Sequence, residues 1–200
     1  MILYVETNFL MGIAKGQDPQ AKNLLFNTLT SVCLAIPNIC YVEALTTLEQ
    51  EEKYNKDFLC RLDIQINQAE RDKISQKSQL LLSLLNQSKV SFVEHKNEIV
   101  QGFDIAFNQL INKAEEIPLA TEIIQQSLGR NILQKHLIDK LILECIIHHA
   151  LLHTSETKVF LSSNSKEFGK REVVEILQNI GIQYFSKTQN FLGWLQSQLP

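Results

Sequence analysis

The chain has 200 residues, 44% hydrophobic and 20% charged, with a formal net charge of −3. This suits one folded domain with a real core and room for an insertion, and excludes a disordered or fibrous chain. No global basic field advertises a nucleic-acid partner, so any such partner needs local lysines or a bound cation.

Strand signals are short. Residues 2–5 (Ile-Leu-Tyr-Val) form the first, and residues 32–36, closed by Pro37-Asn38, the second. Residues 116–119 give a third, which Pro118 confines to a sheet edge or a strand end. Residues 158–161 and 181–185 supply the fourth and fifth. Helical patterns fall at 21–30, 38–50, 120–128, 131–153, 170–179 and 188–197. Strands alternating with helices predict an α/β fold, with helices on both faces of a mostly parallel sheet of about five strands.

Residues 51–114 break the alternation. Ile99, Phe103, Ala106, Phe107, Leu110 and Ala114 recur at helical spacing, and Leu80, Leu81, Leu84 and Leu85 mark another amphipathic stretch. The whole chain is therefore expected to be a single domain carrying an all-helical insertion at about 51–114. The mixed charges from Glu49 to Asp57 read as a solvated helix face.

Acids interrupt this pattern where they are expensive. Glu6 follows the first strand directly, Glu43 sits in an apolar helix start after Asn38, and Asn164 and Glu167 follow the fourth strand. Asp139 shares a helix stripe with Ile142, Leu143, Ile146 and Ala150, a core-facing set. A carboxylate there takes up a proton unless it is paired or metal-bound. If the first and fourth strands are neighbours, Glu6, Asn164 and Glu167 share one rim, and nearby helices can add Glu43 and Asp139. An oxygen-only site of this kind suits Mg²⁺ or Mn²⁺, which would orient a water, lower its pKa and stabilise charge on a phosphodiester. Each residue also has a purely structural reading. Glu6 would satisfy helix N–H groups, Glu43 would pair with a lysine, and Asp139 with Lys135 or His136. Glu167 would favour a helix dipole and Asn164 a turn.

Other chemistry is poorly supported. His148, His149 and His153 lack the HExxH pattern and any evident remote ligand, which predicts an exposed or cleft-edge histidine face. Gly12 and Gly16 do not form a phosphate loop, and there is no Gly-x-Ser-x-Gly elbow. Cys33, Cys40, Cys60 and Cys145 stand apart in apolar runs, which predicts buried free thiols. With no signal peptide in view and no apolar run long enough to span a membrane, a cytoplasmic location without a membrane partner is expected. Lys15, Lys22, Arg130, Lys166, Lys170 and Arg171 are candidate phosphate contacts.

The run Leu3-Tyr4-Val5-Glu6-Thr7-Asn8-Phe9-Leu10 resembles the start of the PIN domain, a family of metal-dependent ribonucleases that includes toxins of toxin–antitoxin modules. The resemblance continues through Glu43, Asp139-Lys140-Leu141-Ile142-Leu143 and residues 160–168, and covers roughly 1–50 and 115–185. It implies a ribonuclease using Mg²⁺ or Mn²⁺, with RNA as substrate. An antitoxin or other protein partner, or a second copy of the chain, would also fit. Glu6, Glu43, Asp139 and Glu167 would be the acids of the site, and Asn164 would complete it. Thr7, Asn8 and Ser163 would support the surrounding turns. Glu6 and Glu167 stand where the family mostly has Asp, and Asn164 where many members carry an acid. A longer Glu can loosen a geometry-demanding ion such as Mg²⁺. A PIN-like scaffold with weakened catalysis that binds protein or RNA is thus the alternative. A phosphoacceptor would need an Asp nucleophile where Glu6 stands.

Overall fold

The computed structural model describes residues 1–198. Its sheet holds β1 (Ile2–Val5), β2 (Cys33–Pro37), β3 (Glu115–Ile117), β4 (Lys158–Leu161) and β5 (Ile182–Phe185). They run in the order β3-β2-β1-β4-β5 with every pairing parallel. All four residues of β1 and all four of β4 are buried, as strands covered on both faces should be, and the one charge among them, Lys158, donates from Nζ to the Ala150 carbonyl. The third strand lies at the edge, where Pro118 just past its end removes no ladder donor.

Helices flank this sheet in three α/β/α layers. The first, α1 (Thr7–Ala14), follows β1 at once and has no counterpart in the helical patterns read from the sequence. Its residues are nearly all apolar, and Phe9, Leu10, Met11, Ile13 and Ala14 are all buried, so no amphipathic stripe marks it. Next comes α2 (Pro19–Phe26), capped by the Asp18 carboxylate, which accepts from the Ala21 N–H at 2.8 Å. Two long helices follow, α3 (Ile39–Arg71) and α4 (Gln76–Lys113), and then α5 (Thr121–Gly129), α6 (Leu137–Leu152), α7 (Arg171–Asn179) and α8 (Thr188–Ser197). The start of α6 lies later than the apolar pattern from 131 suggests, because Leu133 takes a positive φ of 50° that no helix accommodates.

The chain divides into two compact units, Met1–Ala44 with Gly102–Pro200, and Leu45–Gln101. The second is all-helical and lies earlier at both ends than 51–114. Phe103, Ala106 and Leu110 explain the later boundary, since all three are buried in the sheet-bearing unit. Within the helical unit the Asp72 carboxylate accepts from the Ile74 and Ser75 N–H groups, turning the chain between α3 and α4. Phe58 and Phe92 pack at 4.7 Å between ring centroids, while Tyr54, Ile64, Leu80, Leu81 and Leu84 stay exposed.

In the sheet-bearing unit α4 comes so close to α1 that a Cβ on Gly102 would lie 2.7 Å from the Ala14 carbonyl oxygen. Alanine normally stabilises a helix interior by about 1 kcal/mol over glycine. Here the sign reverses: Gly102→Ala is expected to destabilise by about 1–3 kcal/mol, because two backbones must move apart. A urea melt that finds the variant as stable as wild type would show that the approach is not tight.

Candidate active site

The register of the central pair builds the site. Val5 pairs with Leu161, which brings the next residues, Glu6 and Ser162, side by side at the carboxyl ends of β1 and β4. The Ser162 hydroxyl donates to Glu6 Oε1 at 2.7 Å, and the Asn8 backbone N–H donates to Oε2 at 2.7 Å. Glu6 thus caps α1 while only 2% exposed. Burial pushes its carboxyl up to about 7 despite those two hydrogen bonds, and the nearby charges of Glu43 and Asp139 push the same way. Ser162 also accepts the Asn164 N–H at 3.1 Å, which ties the turn after β4 to the first acid.

Glu43, on the first turns of α3, is half-buried and accepts a hydrogen bond from the Thr7 hydroxyl. Burial raises its pKa, the Thr7 bond opposes that, and the Asp139 charge adds to it. Asp139 stands on the first turn of α6, where its stripe partners Ile142, Leu143, Ile146 and Ala150 are all fully buried. Asn164 donates from Nδ2 to Asp139 Oδ1 at 3.2 Å, leaving its amide oxygen available as a donor to a cation. His136, at the N-cap of α6, lies 3.9 Å from Asp139 and 3.3 Å from Glu167. Burial raises the Asp139 pKa, with His136 opposing and Glu167 reinforcing. Glu167, in the turn after β4, is held 2.5 Å from Lys170, whose hydrogen bond keeps its pKa low.

His136, Asp139 and Glu167 present ligand atoms within 4.8 Å of one another, a spacing that one ion can bridge. The donors are mostly carboxylates, with the Asn164 amide beside them, and so fit a hard divalent cation. Three acids with raised pKa values in one region are a frustrated arrangement that a cation relieves.

A cleft of about 570 Å³ is lined among others by Asn8, Lys15, Asp18, Ser163, Lys187 and Thr188, and none of Glu6, Glu43, Asp139 and Glu167 lies on its wall. Ser163 therefore faces this cleft, and Ser162 is the serine that touches an acid. Several of the candidate phosphate contacts are engaged within the protein. Lys170 pairs with Glu167, and Arg130 lies 2.6 Å from Glu144. Lys166 is exposed, and Arg171, almost fully exposed, pairs with Glu175 one turn away. Sequence reasoning missed Ser162 and His136 as parts of the site. The strand register identifies the first, and the second sits three residues before Asp139 on a helix start.

Two expectations are corrected. His149 is not on an exposed face but only 7% exposed, bonded to Tyr4 and Glu115, because the end of α6 packs over β1 and β3. Cys33 and Cys60 are exposed while Cys40 and Cys145 are buried, and all four are free thiols. Cys33 opens a strand and Cys60 lies on a solvent-facing side of α3, so apolar neighbours in sequence did not imply burial.

The raised acids make a pH prediction for the metal-free protein. Glu6 keeps its proton to about pH 7 when folded and loses it near 4.5 when unfolded, so the native state binds more protons across that window. Stability is fully present below about 4.5 and falls as pH rises to 7, by roughly 3 kcal/mol from Glu6 alone. Urea melts from pH 4.5 to 7.5 should show this slope, and Glu6→Gln should flatten it. Equal slopes in the two proteins would rule out a buried protonated Glu6.

A parallel α/β/α sheet with acids gathered where β1 and β4 end defines an acid-rimmed α/β domain. A family model described as PIN domain matches residues 3–168, and the chain belongs to that family. It therefore carries a nuclease-type scaffold, of a kind that generally uses divalent metals. No curated protein and no solved structure matched the chain. Among the described residues no helix is long and apolar enough to cross a membrane.

Proposed function

We propose that the protein is a metal-dependent endoribonuclease, acting on RNA in the cytoplasm with Mg²⁺ or Mn²⁺. The observation that carries this reading is the convergence of Glu6, Glu43 and Asp139, each with its pKa raised, beside Asn164 and Glu167. Asp139, Glu167, Asn164 and Glu6 would hold the cation, with Glu43 as an adjoining carboxylate. When bound, the ion would supply Lewis-acid stabilisation of the phosphodiester and lower the pKa of a water. Ser162 and Asn8 fix the orientation of Glu6, and Thr7 that of Glu43, so the acids are held before substrate arrives. Lys15, together with Lys166, Lys170 and Arg171, would position the RNA backbone without reading its sequence. The exposed apolar residues of the helical unit suit a protein partner, either an antitoxin-like chain or a second copy.

A second reading is a weakened scaffold that binds protein or RNA. It is favoured by the engagement of both Glu6 oxygens by the protein's own donors and by the Lys170 bond to Glu167. Cleavage of mixed-sequence RNA with and without Mn²⁺, by wild type and Asp139→Asn, separates the two.

A further inference from the structure

The far end of α6 carries a second group of ligating side chains, unrelated to the acids at its start. His149 and His153 lie one helical turn apart, with ring centroids 4.3 Å from each other and planes inclined by 22°. Glu115, the first residue of β3, places Oε1 3.3 Å from His149 Nε2. Ligand atoms of Glu115, His149 and His153 all fall within 4.8 Å of one another. Cys33, at the start of β2, sets its Sγ 3.8 Å from the other oxygen of Glu115. Asp139 and His149 are ten residues apart on one helix, roughly 15 Å of axis, so one ion cannot serve both groups.

The donor chemistry differs as well. Two imidazoles and a carboxylate form a nitrogen-rich set that suits zinc, in contrast to the largely oxygen set at the other end. The His149 ring is already oriented, since Tyr4 Oη lies 3.0 Å from Nδ1 and leaves Nε2 for an ion. A plain Glu115–His149 hydrogen bond would account for two of these residues; helix spacing sets His153 against the same ring, and its ligand atom falls within the same 4.8 Å.

We propose that Glu115, His149 and His153 bind one Zn²⁺, which ties the start of edge strand β3 to the C-terminal end of α6. The strand has only three residues and three register pairs, so it gains most from such a tie. Metal-free protein titrated with Zn²⁺ by calorimetry should bind one equivalent there, and Co²⁺ in its place should give the visible bands of a four-coordinate ion. Glu115→Gln and His153→Ala alter positions that are not fully buried, so both should fold with the circular dichroism of wild type. Each should weaken Zn²⁺ affinity at least about tenfold, while Asp139→Asn leaves it unchanged. The site is overturned by wild type that takes up no Zn²⁺ at micromolar concentrations. Affinity untouched by both variants, or lost in Asp139→Asn instead, overturns it equally. Loss of Zn²⁺ affinity in Glu115→Gln and His153→Ala leaves Mn²⁺-dependent cleavage untouched, because the acids lie at the opposite end of α6.

Discussion

Asp139→Asn is expected to reduce Mn²⁺-dependent RNA cleavage at least about a hundredfold while leaving the fold intact. Asparagine matches aspartate in size and can still accept the bond from Asn164 Nδ2, now 3.2 Å from Oδ1. What disappears is a charge that faces His136 and Glu167 and raises the pKa values of both Glu6 and Glu43. Without a cation that charge is repulsive, so the metal-free variant should melt at or above the wild-type temperature. With a cation the same charge is attractive, so the Mn²⁺-induced rise in melting temperature should shrink or vanish in the variant. The two signs together separate a metal ligand from a structural aspartate, whose loss would lower stability with or without Mn²⁺. An Asp139→Asn protein that cleaves at the wild-type rate refutes the nuclease reading of this cluster. Wild type that neither cleaves nor shifts with Mn²⁺ supports the scaffold reading instead.

The second large effect is on stability. Phe160 lies in the middle of β4, is fully buried, and meets Phe168 edge-on at 5.0 Å and Tyr184 at 5.9 Å. Phe160→Ala leaves a cavity beneath the turn that presents Glu167, and should cost about 3–5 kcal/mol. For a chain of this length that corresponds to a drop in melting temperature on the order of 10 °C. It also takes up much of a typical stability of about 5–15 kcal/mol. Cleavage should fall too, because Phe168, which packs on Phe160, anchors the turn that carries the neighbouring Glu167. Phe58→Ala, at a position 48% exposed in the helical unit, serves as the control and should cost about 1 kcal/mol or less. A small loss at Phe160, equal to that at Phe58, would mean the centre of the sheet is not the core.

How much of this was legible beforehand differs from residue to residue. Asp139 declared itself, because a charge on a stripe of Ile142, Leu143, Ile146 and Ala150 has no inexpensive place in water-poor surroundings. Glu6 declared itself for the same reason, at the end of a strand whose four residues are all buried. In the structure it caps a helix and also lies near the charges of Glu43 and Asp139. The burial of His149 was not legible, since its partner Glu115 lies 34 positions away and no local spacing points to it.

Hydrophobic alternation, helix periodicity and the position of each acid relative to its element were written in the order of residues, and they determined a parallel α/β layout with the helical segment set apart. Those features depend on neighbours within a turn or a strand, which is the range over which a one-dimensional pattern operates. The tertiary structure alone decided that β1 lies between β2 and β4, that Ser162 rather than Ser163 meets Glu6, and that His136 joins the acids. It also placed Glu115 against His149. Strand pairing and burial are set by contacts between distant segments, and a shift of one residue in register would have exchanged every such partner.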